Sequence, residues 1–537
     1  MPVISARARF LLVAALLLVQ FAARGELSLR HESPVWDERL HVGYGLALLD
    51  RGPQFDGQDH PYAIAALLVL PTWLHLPGPD RYAQGDVDDP DVLLPARRVN
   101  LLLATASLAL LAAFARRRRG EAFALTVLAI GSLDPGWLAQ ARYATTDIGH
   151  GLAWWLAAGA LLLHREDAKR RWLLLAAVGG ALGLASKWST IALPLLLPLL
   201  WLGQRGVPWR ARLLPSVRAG ALTGFLAFGL LLLPFGLLAL VRHVPVEIAL
   251  HHVWQGLQAS LAKRTADSGV YLLGTWWPHG TRAYFPLLLL AKTPVALLAS
   301  AMVGALWPIA RTRWHEERGA VALLVAYLAL AIATKQNLGH RHLTPFLPVL
   351  WWLATAALLT IWQELVRLRW IAPVLGVLLA IEALAVHPHY LAFANGAFGG
   401  TDAVPPVVVN AGADWGQALP ALHDYLVAHP SQRVDLAYFG NADPRRYVGE
   451  TVWRACGVLG RPRAKGQPTA SVTDPAELLA VSATCLYGGA GMRDGTTLDL
   501  TRRDDAWAYL RGKEPDAIIG GSIFVFRTQP GLKTNGH

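Results

Sequence analysis

Long apolar runs constrain this chain more than any other feature of its sequence. Each run is about 15 to 25 residues long, which is the length that an α-helix needs to cross about 30 Å of hydrocarbon. The runs recur between residue 8 and residue 386. Only 16% of all residues are charged, compared with about 25% in ordinary soluble domains. The sequence therefore predicts an all-α polytopic membrane domain over residues 1–387.

The apolar runs predict about eleven transmembrane helices. Arg7 and Arg9 precede the first run, and no clear small-residue cleavage site follows it, so we expect an uncleaved span rather than a signal peptide. The predicted spans are 8–23, 99–115, 121–139, 148–164, 172–186, 188–203, 218–241, 285–310, 320–334, 343–363 and 370–386.

The basic clusters between the apolar runs predict the orientation of the spans. The positive-inside rule places all of them in the cytoplasm if the apolar stretch 60–77 does not cross the membrane. This stretch contains Pro71 and has acidic flanks, which favours a juxtamembrane helix within a first outer loop at 24–98. The N-terminus is then on the cytoplasmic side of the membrane. The net charge of +12 is explained by this topology, so nucleic acid is not an expected partner. The clusters are Arg7 with Arg9, 116–119, 164–171, 204–212, 311–318 and 366–369.

The tail, residues 388–537, has the composition of a soluble domain and follows the last predicted span on the outer side. The segments RVDLAYFG, ELLAVSATCLYG and SIFVFR have strand character, whereas GQALPALHDYLVAH has helical spacing. We therefore predict a small extracytoplasmic α/β domain. Its two cysteines, Cys456 and Cys485, either form a disulfide in an oxidising compartment or lie apart.

Charged residues are concentrated directly after the first apolar run, in WDERLHVGYG. Asp37, Glu38 and His41 have the spacing of one helix face. Three interpretations remain open: acids that stabilise a helix N-terminus, a divalent metal site formed by Glu38 and His41, or a general base at the membrane surface. Asp147 in RYATTD lies on the same predicted outer face. It serves either as a helix cap or as a second acidic point of a site.

Cationic and aromatic side chains accompany these acids on the outer face. Each cation alone is typical of snorkelling to the membrane interface, but together they indicate a site for an anionic headgroup. The cations are His60, Lys187, Lys292, His340, Arg341 and His342. Trp277 and His279 lie in YLLGTWWPHGTRAYFP, which is either an interfacial aromatic belt or a wall for a sugar or a prenyl chain.

Taken in order, several motifs resemble those of the phospholipid-carrier-dependent glycosyltransferases. That superfamily includes the protein O-mannosyltransferases (family 39) and the aminoarabinose transferases. One difference is Tyr62, which stands where relatives often have a second proline. The motifs are WDERLHVGYG, DHPY, ARYATTD, GLASKWSTIALPLLLP, YLLGTWWPHGTRAYFPLLLLAKTP, NLGHRHLTPFLP, PHYLAFANGAFGG, NAGADWGQALPALHDYL and YFGNADPRRY.

The resemblance implies a GT-C fold and transfer of a sugar from a polyprenyl-phosphate donor to a protein, lipid or glycan acceptor, with inversion. It implies that Asp37 is the catalytic carboxylate and Asp147 the second acidic position, with Glu38 beside them. It places His60 and Arg341 near the donor phosphate, and Lys187 and His342 are further candidates there. Asp414, Trp415 and Gln417 are candidates for acceptor or sugar contact, or for docking of the tail. Trp277 and His279 are candidates for the same contact.

Two other functions remain open from the sequence. The acids could line the path of a lipid-linked sugar flippase or transporter, or the chain could be a non-catalytic assembly factor with the same fold. No cofactor is firmly predicted, and a divalent metal at Glu38 and His41 is the one candidate. The expected partners are the lipid-linked sugar, membrane lipids and an acceptor.

Overall fold

The computed structural model is mainly helical. It describes residues 5–53, 60–78, 80–204, 206–265, 268–306, 318–334, 336–430, 434–449, 452–454, 477–488, 490–493, 497–503 and 507–527. The helices are α1 (Ala6–Leu29), α2 (Trp36–Arg51), α3 (Ala63–His75), α4 (Arg81–Gln84), α5 (Pro90–Arg119), α6 (Glu121–Leu133), α7 (Pro135–Ala141), α8 (Asp147–Asp167), α9 (Arg170–Ser186), α10 (Leu193–Leu196), α11 (Trp209–Val241), α12 (Val246–Thr265), α13 (Tyr284–Lys292), α14 (Val295–Leu306), α15 (Arg318–Ala333), α16 (Leu347–Glu364), α17 (Ile371–Ala385), α18 (Leu419–Ala428), α19 (Arg445–Val448) and α20 (Ala483–Tyr487).

The helices support a multi-pass membrane protein but not the predicted count of spans. By length and apolar composition, four helices within the described residues are long enough to cross a membrane, or up to six if each bent pair forms one span. The predicted eleven crossings are therefore not confirmed. The four are Ala6–Leu29, Pro90–Arg119, Trp209–Val241 and Val366–Ala385.

Several predicted spans are interrupted, and prolines explain most of the breaks. The predicted span 121–139 bends by 66° between α6 and α7, where Pro135 begins the second helix, and 285–310 bends by 114° between α13 and α14, after Pro294. The predicted span 188–203 is a series of short turns, with 3₁₀ segments Trp188–Ala192 and Leu197–Gly203 on either side of α10. It contains Pro194 and Pro198, which remove backbone donors.

The connections hold more regular structure than expected. The stretch 60–77 contains α3, and the segment between the predicted spans 218–241 and 285–310 contains α12 and a hairpin of strands β1 (Val270–Leu272) and β2 (Thr275–Trp277). Leu273 and Gly274 turn the hairpin with φ values of +48° and +82°, as a two-residue turn of this kind requires.

The main core lies between the helices of the membrane part. α8 packs against α9, α9 against α11, α14 against α16, and α5 against α6. Large aromatic side chains fill the centre of this core: Trp137, Trp154 and Trp351 are completely buried. α2 and α3 pack against each other and against α5, which places the acidic start of α2 beside the helical core.

The strands of the tail are β3 (Val434–Ala437), β4 (Val452–Arg454), β5 (Leu478–Ser482), β6 (Ala490–Arg493), β7 (Thr497–Arg503), β8 (Ala517–Ile519) and β9 (Ile523–Arg527). Five of them form a sheet with the strand order β4-β3-β5-β9-β8. β3 pairs in parallel with β4 and β5, whereas β9 is antiparallel to β5 and β8. The segments for which strands were predicted contain β3, β5 and β9. Cys485 is buried and disulfide-bonded, and Cys456 lies outside the described residues.

Candidate active site

Two ion pairs from four distant segments define the candidate site. Arg341 donates a hydrogen bond to Asp37 Oδ2 through Nη1, and Lys187 donates one to Asp147 Oδ1 through Nζ. Asp37 lies in the first turn of α2 and Asp147 begins α8, while Lys187 follows α9 and Arg341 lies in the 3₁₀ segment His340–Leu343. We call Asp37, Arg341, Asp147 and Lys187 the acid–cation cluster. The structure thus brings together four of the predicted site residues.

The cluster is largely shielded from solvent. The side chains of Asp147 and Lys187 are 1% and 7% exposed, and those of Asp37 and Arg341 are 22% and 10% exposed. Burial opposes ionisation of Asp37, but the charge of Arg341 and its hydrogen bond outweigh burial and hold the pKa of that carboxyl below its ordinary value. The Asp37 carboxylate is therefore ionised at neutral pH and is the most accessible anion of the cluster.

Polar contacts fix the turn that carries Asp147. The Asn100 side-chain amide donates to the carbonyl of Tyr143 at 2.6 Å, which anchors the turn to α5. Thr145 Oγ1 donates to Asp147 Oδ2 at 3.0 Å, and Thr344 Oγ1 donates to the Asp147 carbonyl at 3.2 Å. Asp147 therefore accepts hydrogen bonds from several neighbouring side chains and is not a solvent-exposed helix cap.

Glu38 is committed to internal contacts and not directed to a substrate. Its two oxygens accept hydrogen bonds from Arg97 Nε and Nη2 at 2.8 and 2.7 Å. They also accept from the backbone N–H groups of Ala144 and Val35 at 2.8 and 2.9 Å. These four bonds use the carboxylate's lone-pair sites, which favours a positioning role for Glu38, and its catalytic role stays a prediction. Glu38 positions the start of α2 against the Asp147 turn.

The same contacts bear on the metal site considered for Glu38 and His41. Glu38 has no lone-pair site left for a cation, and the described part of the chain holds no group of three or more His, Cys, Asp or Glu side chains placed to bind a metal ion. The ion pair of Glu38 with Arg97 does not favour a metal at Glu38 and His41, and that metal site stays a prediction.

His41 and His342 lie near the charges of the cluster, and His60 packs behind His41. His41 is 4% exposed, and its ring centroid lies 5.7 Å from that of His60. Burial, Lys187 and Arg341 hold the pKa of His342 well below its ordinary value, so this side chain is neutral. Of the two histidines predicted as donor-phosphate ligands, His342 lies near Lys187 and Arg341, whereas His60 contacts the ring of His41.

The ADWGQ segment docks the tail onto the start of α2. The backbone N–H of Trp36 donates to the Trp415 carbonyl at 3.0 Å, and that of Ser33 donates to the Gln417 carbonyl at 3.0 Å. Gln417 is fully buried, and its side-chain amide donates to the Ala413 carbonyl at 2.8 Å. Of the two roles considered for Gln417, the contacts favour docking of the tail over sugar contact.

Trp415 connects the docked tail to the acid–cation cluster. The Arg341 guanidinium carbon lies 4.5 Å from the centre of the Trp415 ring, which is a cation–π contact. Because Trp415 is 1% exposed, its ring forms a wall behind Arg341 and has no free face for a sugar. Trp277 and His279 are exposed, and the hairpin carrying Trp277 joins the tail through the Leu272–Val408 bridge.

Asp414 provides a prediction on stability. Its Oδ2 accepts a hydrogen bond from the Thr484 N–H at 2.7 Å, and burial raises its pKa to about 7. Because the folded pKa lies above that of the unfolded chain, folding stability should be full below about pH 4 and fall up to the folded pKa of about 7. This loss of folding stability is of the order of 4 kcal/mol. We expect the Asp414→Asn variant to show little of it, because asparagine does not ionise. Melting temperatures at several pH values test this, and equal pH dependence in both proteins would contradict it.

Some structural residues were not found from the sequence. Arg97, Asn100 and Thr344 are buried and hold the two acidic segments in place. The signal for Asn100 was its position inside the predicted span 99–115, where a polar side chain requires a partner, and Arg97 directly precedes that span.

The comparisons with known proteins concern the fold. Neither a protein-family model nor a curated protein matches the chain. ArnT from Cupriavidus metallidurans in the apo state has a TM-score of 0.49 and 15% identity, over 72% of this chain and 70% of that chain. The same protein bound to undecaprenyl phosphate has a TM-score of 0.47 and 16% identity, over 72% of each chain.

An archaeal structure is also similar. The Archaeoglobus fulgidus oligosaccharyltransferase tethered with an acceptor peptide has a TM-score of 0.44 and 12% identity, over 70% of this chain and 53% of that chain. Each of these similarities extends over about 70% of this chain.

Proposed function

We propose that this chain is a membrane glycosyltransferase that transfers a monosaccharide from a polyprenyl-phosphate donor to a protein, lipid or glycan acceptor. We place the reaction at the outer face of a bacterial cytoplasmic membrane. The observation that carries the proposal is the acid–cation cluster, in which two carboxylates and two cations from four segments meet at the ends of apolar helices.

The cations suit the donor phosphate. Arg341 presents a planar fork that matches phosphate oxygens, and Lys187 supplies a compact charge close to it. As the bond between the sugar and the phosphate breaks, negative charge grows on the leaving oxygen. Positive charges already fixed in a partly desolvated site stabilise that charge and lower the barrier.

Asp37 suits the acceptor. Its carboxylate is the more exposed of the two acids, at 22% against 1% for Asp147. An ionised carboxylate can accept the hydrogen bond of an acceptor hydroxyl and direct its oxygen to the anomeric carbon. Attack from the side opposite the phosphate gives inversion. Asp147 holds Lys187 through their ion pair.

The experiment that tests the proposal is a transfer assay with the full chain in liposomes. A panel of polyprenyl-phosphate sugars is supplied with membrane acceptors, and products are identified by mass spectrometry. We expect one donor class to give a glycosylated product together with polyprenyl phosphate. Movement of the intact donor across the bilayer without product would favour a flippase, and no turnover with any donor would favour an assembly factor.

A substitution of Arg341 tests the phosphate assignment. We expect Arg341→Gln to weaken donor binding by about 10-fold to 100-fold, because a charge-assisted hydrogen bond contributes about 1.5 to 3 kcal/mol. The matched control is Arg39→Gln on α2, since Arg39 pairs with Asp88 at 2.7 Å and lies outside the acid–cation cluster. Equal donor affinity of the Arg341 variant and the wild type, measured by titration with undecaprenyl phosphate, would overturn the assignment.

A further inference from the structure

His41 lies among the charges of the acid–cation cluster but has no hydrogen-bond partner there. It follows Asp37 by four residues on α2, so the two side chains share a helix face. Its Nδ1 is buried without a hydrogen-bond partner among the described residues, and the side chain is 4% exposed. A buried ring nitrogen without a hydrogen-bond partner costs folding free energy. A role in binding or catalysis would explain why this atom is kept without a partner.

The two carboxylates of the cluster are poorly suited to keep a proton. Asp37 is held by Arg341 and Asp147 by Lys187, and each cation stabilises the ionised form of its acid. A carboxylate paired with a cation accepts a hydrogen bond well, but it releases a captured proton readily. The imidazole of His41 is the uncharged base that lies closest to Asp37 along α2.

We propose that His41 accepts the acceptor's proton during glycosyl transfer, while Asp37 aligns the hydroxyl and stabilises the resulting imidazolium. The inference rests on the proposed function and assigns the proton within the same site. It separates two roles that the sequence placed on Asp37 alone.

The step is balanced in atoms and charge. The acceptor oxygen forms a bond to the anomeric carbon, and the bond from that carbon to the phosphate oxygen breaks with its electron pair staying on the phosphate. The hydroxyl proton moves to an imidazole nitrogen of His41. The products are the glycosylated acceptor, polyprenyl phosphate with one more negative charge, and imidazolium, which then releases its proton to water.

The charges around His41 set its pH response. Asp37 on its own helix and Asp147 on α8 raise its pKa, whereas burial, Arg341 and Lys187 lower it, and the net pKa lies below the ordinary value. His60 and Tyr62 pack against the ring from the segment before α3. His41 is therefore neutral at pH 7 and able to take up a proton.

The test compares His41→Gln with the wild type in the transfer assay. We expect kcat to fall by about 10² to 10⁴-fold, the usual contribution of general base catalysis, with KM for the donor nearly unchanged. In the wild type, kcat should decrease as pH falls through the pKa of His41, and this limb should be absent in the variant. The matched control is His31→Gln, because His31 is exposed in the turn after α1.

The outcomes separate this inference from the proposed function. If the wild type transfers sugar and His41→Gln keeps full kcat and the same acidic limb, His41 is not the proton acceptor and the proposed function stands. If the wild type transfers no sugar from any donor, the proposed function itself fails. Retained undecaprenyl phosphate binding by His41→Gln excludes misfolding, and if it is lost, His41→Asn is assayed in the same way.

Discussion

Replacement of Asp37 with asparagine should lower kcat by about 10³-fold while leaving donor binding intact or stronger. Asparagine keeps the size of the side chain but lacks the negative charge that aligns the acceptor hydroxyl and stabilises the imidazolium of His41. Side chains with these roles contribute about 10² to 10⁴-fold to the reaction rate. Arg341, now without its acidic partner, is freed to bind the donor phosphate. The measurement is kcat and donor KM in liposomes, together with the affinity for undecaprenyl phosphate.

The control for this variant is Asp88→Asn. Asp88 also pairs with an arginine, Arg39, and its side chain is 4% exposed, but it lies outside the acid–cation cluster. It should therefore keep kcat near that of the wild type. Full activity of Asp37→Asn would remove Asp37 from the reaction. Loss of donor affinity in that variant would instead indicate that Asp37 holds Arg341 in its binding position.

Replacement of Arg97 with alanine should destabilise the protein by about 3 to 5 kcal/mol, because it leaves a buried carboxylate without its partner. The side chains of Arg97 and Glu38 are 1% and 0% exposed. Arg97 also donates to the carbonyls of Leu29, Glu32 and Ser33 at 2.7 to 2.9 Å, and these acceptors would lose their donor. The measurement is the thermal unfolding temperature of the purified protein in detergent.

The neighbouring residue supplies the control. Arg98 pairs with Glu26 at 2.9 Å, but its side chain is 42% exposed, so Arg98→Ala should cost at most about 1 kcal/mol. A double variant that replaces both Arg97 and Glu38 with methionine should recover part of the loss, since no buried charge then remains unpaired. Equal destabilisation by Arg97→Ala and Arg98→Ala would contradict the importance assigned to the buried pair.

The sequence predicts which residues belong to the candidate site better than it predicts which acid pairs with which cation. Asp37, Asp147, Lys187 and Arg341 were all placed on one predicted face because each follows or precedes an apolar run. Which acid binds which cation depends on the packing of helices that are distant in sequence, and no local pattern contains that information. Arg341 and Asp37 are 304 positions apart.

The contacts of Glu38 were not predictable from local spacing. Its position beside Asp37 and three residues before His41 is typical of ligands on one helix face, yet its side chain turns to Arg97, 59 positions later in the chain.

The interrupted helices were also not predicted from the apolar runs. Hydropathy reports that a segment is apolar, but Pro135, Pro194 and Pro198 decide whether it continues as one helix.

The contact between Arg341 and Trp415 has a consequence for protein engineering. One wall of the acid–cation cluster comes from the tail, and the same loop is tied to the backbone of Ser33 and Trp36. A chimera that joins this membrane part to a foreign tail would therefore keep its acids and cations but lose the ring that backs the arginine. The junction of such a chimera would have to follow residue 417, so that the loop with Trp415 stays in the same chain as the helices that it contacts.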